Sequence, residues 1–154
     1  MAYARETILA AMATSAATIT VANGYEKTIS QVVRYPVEQE PEVEDTHFAA
    51  GAPLLFLFDG DPEETDDEKD DVALWTLRPR IRVLMASTAT APSTAMNSSI
   101  GDIKKWIKSN RTSWHTSVVW SRVLSVSVLT GKTKPHAGFD VLAEVKYQTT
   151  ASEL

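Results

Sequence analysis

The sequence predicts an α+β domain, with a mainly antiparallel or mixed β-sheet of about five strands and two helices packed on one face. Three observations carry this. Segments 3–20 and 95–109 place apolar residues at spacings of three and four, the period of a helix with one buried face. Segments 73–86, 118–129 and 138–149 alternate apolar and polar residues, the period of a half-buried strand. The order along the chain, α-β-β-β-α-β-β, lacks the regular strand–helix alternation of a parallel sheet. At 154 residues the chain has the length of one domain.

The first helix, 3–20, lines up Ile8, Leu9, Met12, Ala16 and Ile19, and its many alanines favour helix. Asn23 and Gly24 stop it, because both tolerate a left-handed cap. Residues 29–35 are rich in β-branched side chains and form the first strand. Residues 36–52 hold two prolines and five acids and read as a long loop. The run Leu54–Phe58 is apolar throughout, so the second strand, 53–58, is buried on both faces and central. Asp59 to Pro62 is turn chemistry, and an acidic loop continues through 59–72. On the third strand, 73–86, Trp75, Leu77, Ile81, Val83 and Met85 share one face; Thr76, Arg78, Arg80 and Arg82 share the other. Pro79 cannot donate to a ladder, which makes this an edge strand or one split in two by a bulge. The second helix, 95–109, carries the stripe Ile100, Ile103, Ile107, with Lys104, Lys105 and Lys108 toward its C-terminus, where cations suit the dipole. Asn110 caps it, and Trp114 packs back on the core. Segments 118–129 and 138–149 form a hairpin. Val118, Trp120, Leu124, Val126 and Val128 point one way on its first arm; Phe139, Val141, Ala143, Val145 and Tyr147 do so on its second. Residues 150–154 are a flexible tail.

The net charge of −5 conceals a division. Residues 1–37 carry +1, residues 38–71 carry fourteen acids against one base, and residues 72–154 carry eleven bases against four acids. A belt of −13 thus interrupts a basic body, and such a belt repels phosphate. There is no cysteine, which excludes disulfides, Cys-ligated metal and thiol nucleophiles. The longest apolar run, 52–58, is far short of the roughly 20 residues of a membrane span, and the N-terminus reads as a helix rather than a signal peptide.

The templates for chemistry fail one by one. Gly131-Lys132-Thr133 lacks the second glycine of a phosphate loop, since position 126 is Val. His47, His115 and His136 form no helical His-x-x-x-His pair. The run from Asp59 to Asp71 has Glu64 and Asp70 where a twelve-residue calcium loop needs Gly and Glu. No Gly-x-Ser-x-Gly elbow occurs. No catalytic residue, cofactor or metal is therefore expected. Trp75, Trp106, Trp114 and Trp120 read as core. The row Arg78, Arg80, Arg82 reads either as an edge strand protected by charge or as a surface that meets a subunit or partner.

Taken in order, the opening helix from Arg5, the segment 17–25, the strand 29–34, the run Pro53–Gly60, the helix 100–107 and the final strand 139–147 resemble the tail terminator proteins of long-tailed bacteriophages, the group typified by the lambda tail terminator. The resemblance covers nearly the full length through elements in order rather than an invariant motif. Loops 36–52 and 59–72 are long for such a protein. The resemblance implies a non-enzymatic virion protein, present in host cytoplasm during assembly. It forms a hexameric ring on the head-proximal end of the tail tube, stops tube polymerisation and meets the head connector. Its implied partners are its own copies, the tail tube protein and the head completion or connector protein; DNA passes through without specific binding, and no membrane is involved. Alternatives are another head–tail connector, a minor tail protein, or a small enzyme or ligand-binding α+β domain, which needs a pocket with convergent polar groups.

A ring needs two different, complementary patches per subunit, and the charge division supplies them. The candidate interface residues are Arg78, Arg80, Arg82, Lys104, Lys105, Lys108 and Arg111, facing acids of the next subunit. The candidate lumen-facing or partner-facing acids are Asp59, Asp61, Glu63, Glu64, Asp66 and Asp67, which would repel passing DNA.

Overall fold

The computed structural model describes residues 3–35, 53–60, 64–69, 72–86, 92–129 and 136–150. Two α-helices, α1 (Ala4–Ala16) and α2 (Pro92–Ser109), accompany seven strands: β1 (Gln31–Tyr35), β2 (Leu54–Phe58), β3 (Glu64–Lys69), β4 (Val72–Leu77), β5 (Arg80–Ala86), β6 (Val118–Leu129) and β7 (His136–Thr150). All seven strands join one sheet. The α+β class holds, with both helices burying their apolar stripes against the same face.

The sheet is organised by β7, fifteen residues long. One side of β7 pairs with β6 over 138–147. Its other side serves two successive strands, β5 over 136–142 and β4 over 145–150. From there the sheet forks, through β5 to β2 and β1, and through β4 to β3. Only the β1–β2 pair is parallel. The fork is the structural meaning of Pro79. The single strand expected over 73–86 breaks at Arg78–Pro79, where a residue without an N–H costs no ladder bond. The Pro79 carbonyl still accepts from Ala143 N–H at 3.0 Å.

Two further differences stand out, and the first, added to the split at Pro79, takes the sheet beyond about five strands. The loop expected over 59–72 contains β3, which pairs antiparallel with β4 through a bulge between Thr65 and Asp67. Asp and Glu are poor strand formers, yet an outer strand tolerates them because charge blunts an open edge. The helix expected over 3–20 ends at Ala16, and a short 3-10 turn (Val21–Asn23) leads into Gly24 at φ 89°. Loop 36–52, acids Asp61 and Glu63, the turn 131–133 and residues 151–154 lie outside the described residues. Thr150, expected to open the tail, still pairs with Val72 at the end of β7.

The main core lies between the helices and the sheet. Ile8, Leu9, Met12, Ile103 and Trp106 meet Leu55, Leu57, Ile81, Val83, Phe139, Val141 and Val145, all essentially without exposure. As expected, β2 is buried on both faces: Leu55 and Leu57 join this core, while Leu54, Phe56 and Phe58 form a second cluster on the far face with Leu84. Burying one such side chain contributes about 1.5–3 kcal/mol, so β2 anchors the sheet from both sides. On β6 the expected alternation fails. Register shifts between Val118 and Trp120 and between Val123 and Ser125 add an extra residue each. Val118, Ser121, Val123 and Val126 face the helices, Trp120 turns to the far face, and Leu124 is left exposed.

Candidate interaction surface

The far face of the sheet carries an arginine–carboxylate lattice. Asp140 and Glu144 occupy the non-core positions of β7, four residues apart. Arg82 lies directly opposite Asp140 on β5 and donates through Nε and Nη2 at 2.8 and 3.0 Å. The Arg80 Nε stands 3.9 Å from the same carboxylate and makes no hydrogen bond. Both guanidiniums stack over Phe58, at 4.6 and 5.5 Å from the ring centre. Glu144, 4% exposed, accepts from Arg78 Nε on one oxygen and from Arg122 on the other, at 3.0–3.2 Å. Trp120 lies beneath Arg122 and Lys146 instead of joining the core with Trp106 and Trp114. The row Arg78, Arg80, Arg82 thus engages the chain's own acids. Sequence reasoning missed Asp140, Glu144 and Arg122. The detectable signal was two acids at polar positions of an otherwise apolar strand.

The helix α2 separates its basic residues by role. Ile103, Trp106 and Ile107 are buried, so 104, 105 and 108 fall on its outer flanks. Lys105 donates to the Gly24 carbonyl at 2.6 Å and covers the Tyr25 ring. Beside it, buried Asp102 accepts the backbone N–H groups of Glu26 and Lys27, both at 2.8 Å. Burial, followed by the charge of Asp102, pushes the Tyr25 hydroxyl above its usual pKa. Lys105 therefore fastens the segment after α1.

Lys104, Lys108 and Arg111 gather instead around a cleft of about 380 Å³ between α2 and β6, together with Ile107, Ser121, Arg122 and Val123. Arg111 is positioned by a relay: Trp114 Nε1–H donates to Ser121 Oγ at 2.9 Å, and that hydroxyl donates to the Arg111 carbonyl at 2.9 Å. Asn110 closes the helix by donating from Nδ2 to the Trp106 carbonyl at 2.8 Å, as its capping role requires.

The acids named from sequence divide as well. Asp59 is paired with Arg34 at 3.0 Å, and Arg34 also holds Glu6 at 2.8 Å. The hydrogen bond from Arg34 lowers the Glu6 carboxyl below its usual pKa, and the bond to Glu6 raises the Arg34 guanidinium in turn. Glu64, Asp66 and Asp67 lie along β3. His115 receives Ser117 N–H on Nδ1 at 3.1 Å, a local turn contact. Among the described residues no group of three or more His, Asp or Glu is placed to hold a metal ion. No helix among them is long and apolar enough to cross a membrane.

Compared with known proteins, the chain matches no family model and no curated relative.

Proposed function

We propose that the protein is a structural component of a long-tailed bacteriophage, forming a hexameric ring that caps the head-proximal end of the tail tube, stops its polymerisation and joins it to the head connector. The observation that carries this reading is the succession of elements. An opening helix, an early strand, an apolar strand buried on both faces, a second helix and a long closing hairpin follow one another in the order on which the family resemblance rests. The uneven charge adds support, because a head-to-tail ring needs two unlike patches on each subunit. Basic residues ring the cleft beside β6, while acids line β3. In this setting the ring works in the virion, bound to the tube protein and the head connector, with DNA passing through it.

The test is electron microscopy of particles made with and without the gene. Loss of the protein gives tails of uncontrolled, excessive length that fail to join heads. Tails of normal length and attachment in its absence would overturn the reading. Six copies of 16.9 kDa give about 101 kDa, the mass a closed six-fold ring would have in solution.

A further inference from the structure

The cleft between α2 and β6 concentrates cations that the chain leaves without a counter-charge among the described residues. Lys104, Lys108 and Arg111 are exposed and enter no salt bridge or side-chain hydrogen bond there, whereas neighbouring Arg122 is already held by Glu144. Lys104 and Lys108 are one helical turn apart, a spacing at which like charges disfavour the helix. Ile107 and Val123 add apolar surface to the cleft lining, while the three cations themselves stay open to solvent.

The matching anion is in the same sequence. Strand β3 carries Glu64, Asp66, Asp67 and Glu68 against a single Lys69. Its ladder to β4 runs from Glu64–Thr76 to Lys69–Val72, which fixes its place in the sheet. The order β6–β7–β4–β3 puts three strand spacings, about 14 Å, between β6 and β3. The strand is thus held away from the cleft of its own chain. A receptor and its complement on opposite sides of one sheet make a heterologous contact, the kind that propagates around a ring.

We infer that the α2–β6 cleft binds carboxylates of β3 from a second copy of this chain. The docking deepens the ring reading and rests on it. Two full-length variants test it: Lys104→Glu/Lys108→Glu/Arg111→Glu, and Glu64→Lys/Asp66→Lys/Asp67→Lys. Sedimentation of wild type is expected to show self-association that weakens as salt rises. Each variant alone, with unchanged circular dichroism, should associate at least about tenfold more weakly. An equimolar mixture should recover association, because an acidic cleft then faces a basic strand. A wild type that stays monomeric, variants that associate normally, or a mixture that stays apart would each overturn the docking. So would a short DNA duplex that wild type retains and the cleft variant releases, since the cleft would then serve phosphate. The two readings fail separately. Normal tails without the protein, alongside charge-swapped rescue in solution, sink the tail role alone. Overlong tails without it, alongside indifference to both reversals, sink the docking alone.

Discussion

Arg82 and Asp140 face one another across β5 and β7 and form a two-bond fork, Nε to Oδ1 at 2.8 Å and Nη2 to Oδ2 at 3.0 Å. Their side chains are only 10% and 15% exposed, so this is a desolvated pair in a sheet rather than a surface ion pair. Removing one partner of a buried pair leaves a charge without its counter-ion and costs about 3–5 kcal/mol. Asp140→Ala should therefore lower the unfolding free energy by about 3 kcal/mol. Arg82→Met/Asp140→Leu should recover part of that loss, because apolar replacements of similar volume remove both desolvation penalties, while Arg80 still loses the same carboxylate. Urea unfolding measures both; equal losses in the single and the double variant would show that the ion pair itself is not the cause.

The fork in the sheet makes a second prediction. Gly60 follows β2 with φ at +89°, and a Cβ there would run into the Arg78 carbonyl. That carbonyl stands where the chain leaves β4 for β5. Gly60→Ala combines a left-handed backbone with a clash against main chain, and should cost upwards of about 2 kcal/mol. Thermal unfolding gives the answer, with Gly101→Ala as the contrasting control. Gly101 is exposed in α2 with open space around it, so alanine there should stabilise by about 0.5–1 kcal/mol.

These two sites mark what the sequence could and could not reveal. Local period was enough to find both helices and the β6–β7 hairpin, because burial on one face imposes a repeat on the chain; β2 showed instead as an unbroken apolar run, because both its faces are buried. Pro79 even signalled the break in the long strand. What period cannot reveal is register. The first bulge in β6 turns Trp120 to the far face and the second leaves Leu124 out of the alternation, and no side-chain pattern announces an inserted residue. The segment Glu64–Lys69 defeats propensity altogether, since its strand comes from pairing with β4 rather than from its own side chains. The site follows the same rule. The arginine row was visible, but its carboxylate partners depended on knowing that β5 lies beside β7. The cleft joins Lys104, Lys108 and Arg111 to β6 through a long-range packing contact. Lys105, adjacent in sequence, is drawn to Gly24 instead.

Asp102 leads to a third prediction. It is 4% exposed, and its two oxygens each accept one backbone N–H, from Glu26 and Lys27. Hydrogen bonds to a charged acceptor contribute about 1.5–3 kcal/mol each, and they hold the segment between α1 and β1 against α2. Asp102→Ala should cost about 3 kcal/mol and speed hydrogen exchange at the amides of residues 26 and 27. Asp102→Asn keeps one good acceptor and should lose about half as much. Unchanged exchange at both amides in Asp102→Ala would refute this anchoring role.

Acid pH tests the Arg34 hub. The Arg34 hydrogen bond keeps the Glu6 carboxyl below its usual pKa, so folding favours the ionised form. The sign follows directly: this contribution is fully present above the ordinary carboxylate pKa and is lost as pH falls through the lowered folded value. Glu6 is 56% exposed, and solvent screening limits the effect to at most about 0.5 kcal/mol. Glu6→Gln should therefore be slightly less stable than wild type at neutral pH and equal to it in strong acid. Carbon-detected NMR titration of Glu6 should show its carboxyl returning to the ordinary range in Arg34→Gln. If it stays low there, the Arg34 bond is not what lowers it. Arg34→Gln should also cost more than Glu6→Gln, since it releases the less exposed Asp59 from the same guanidinium.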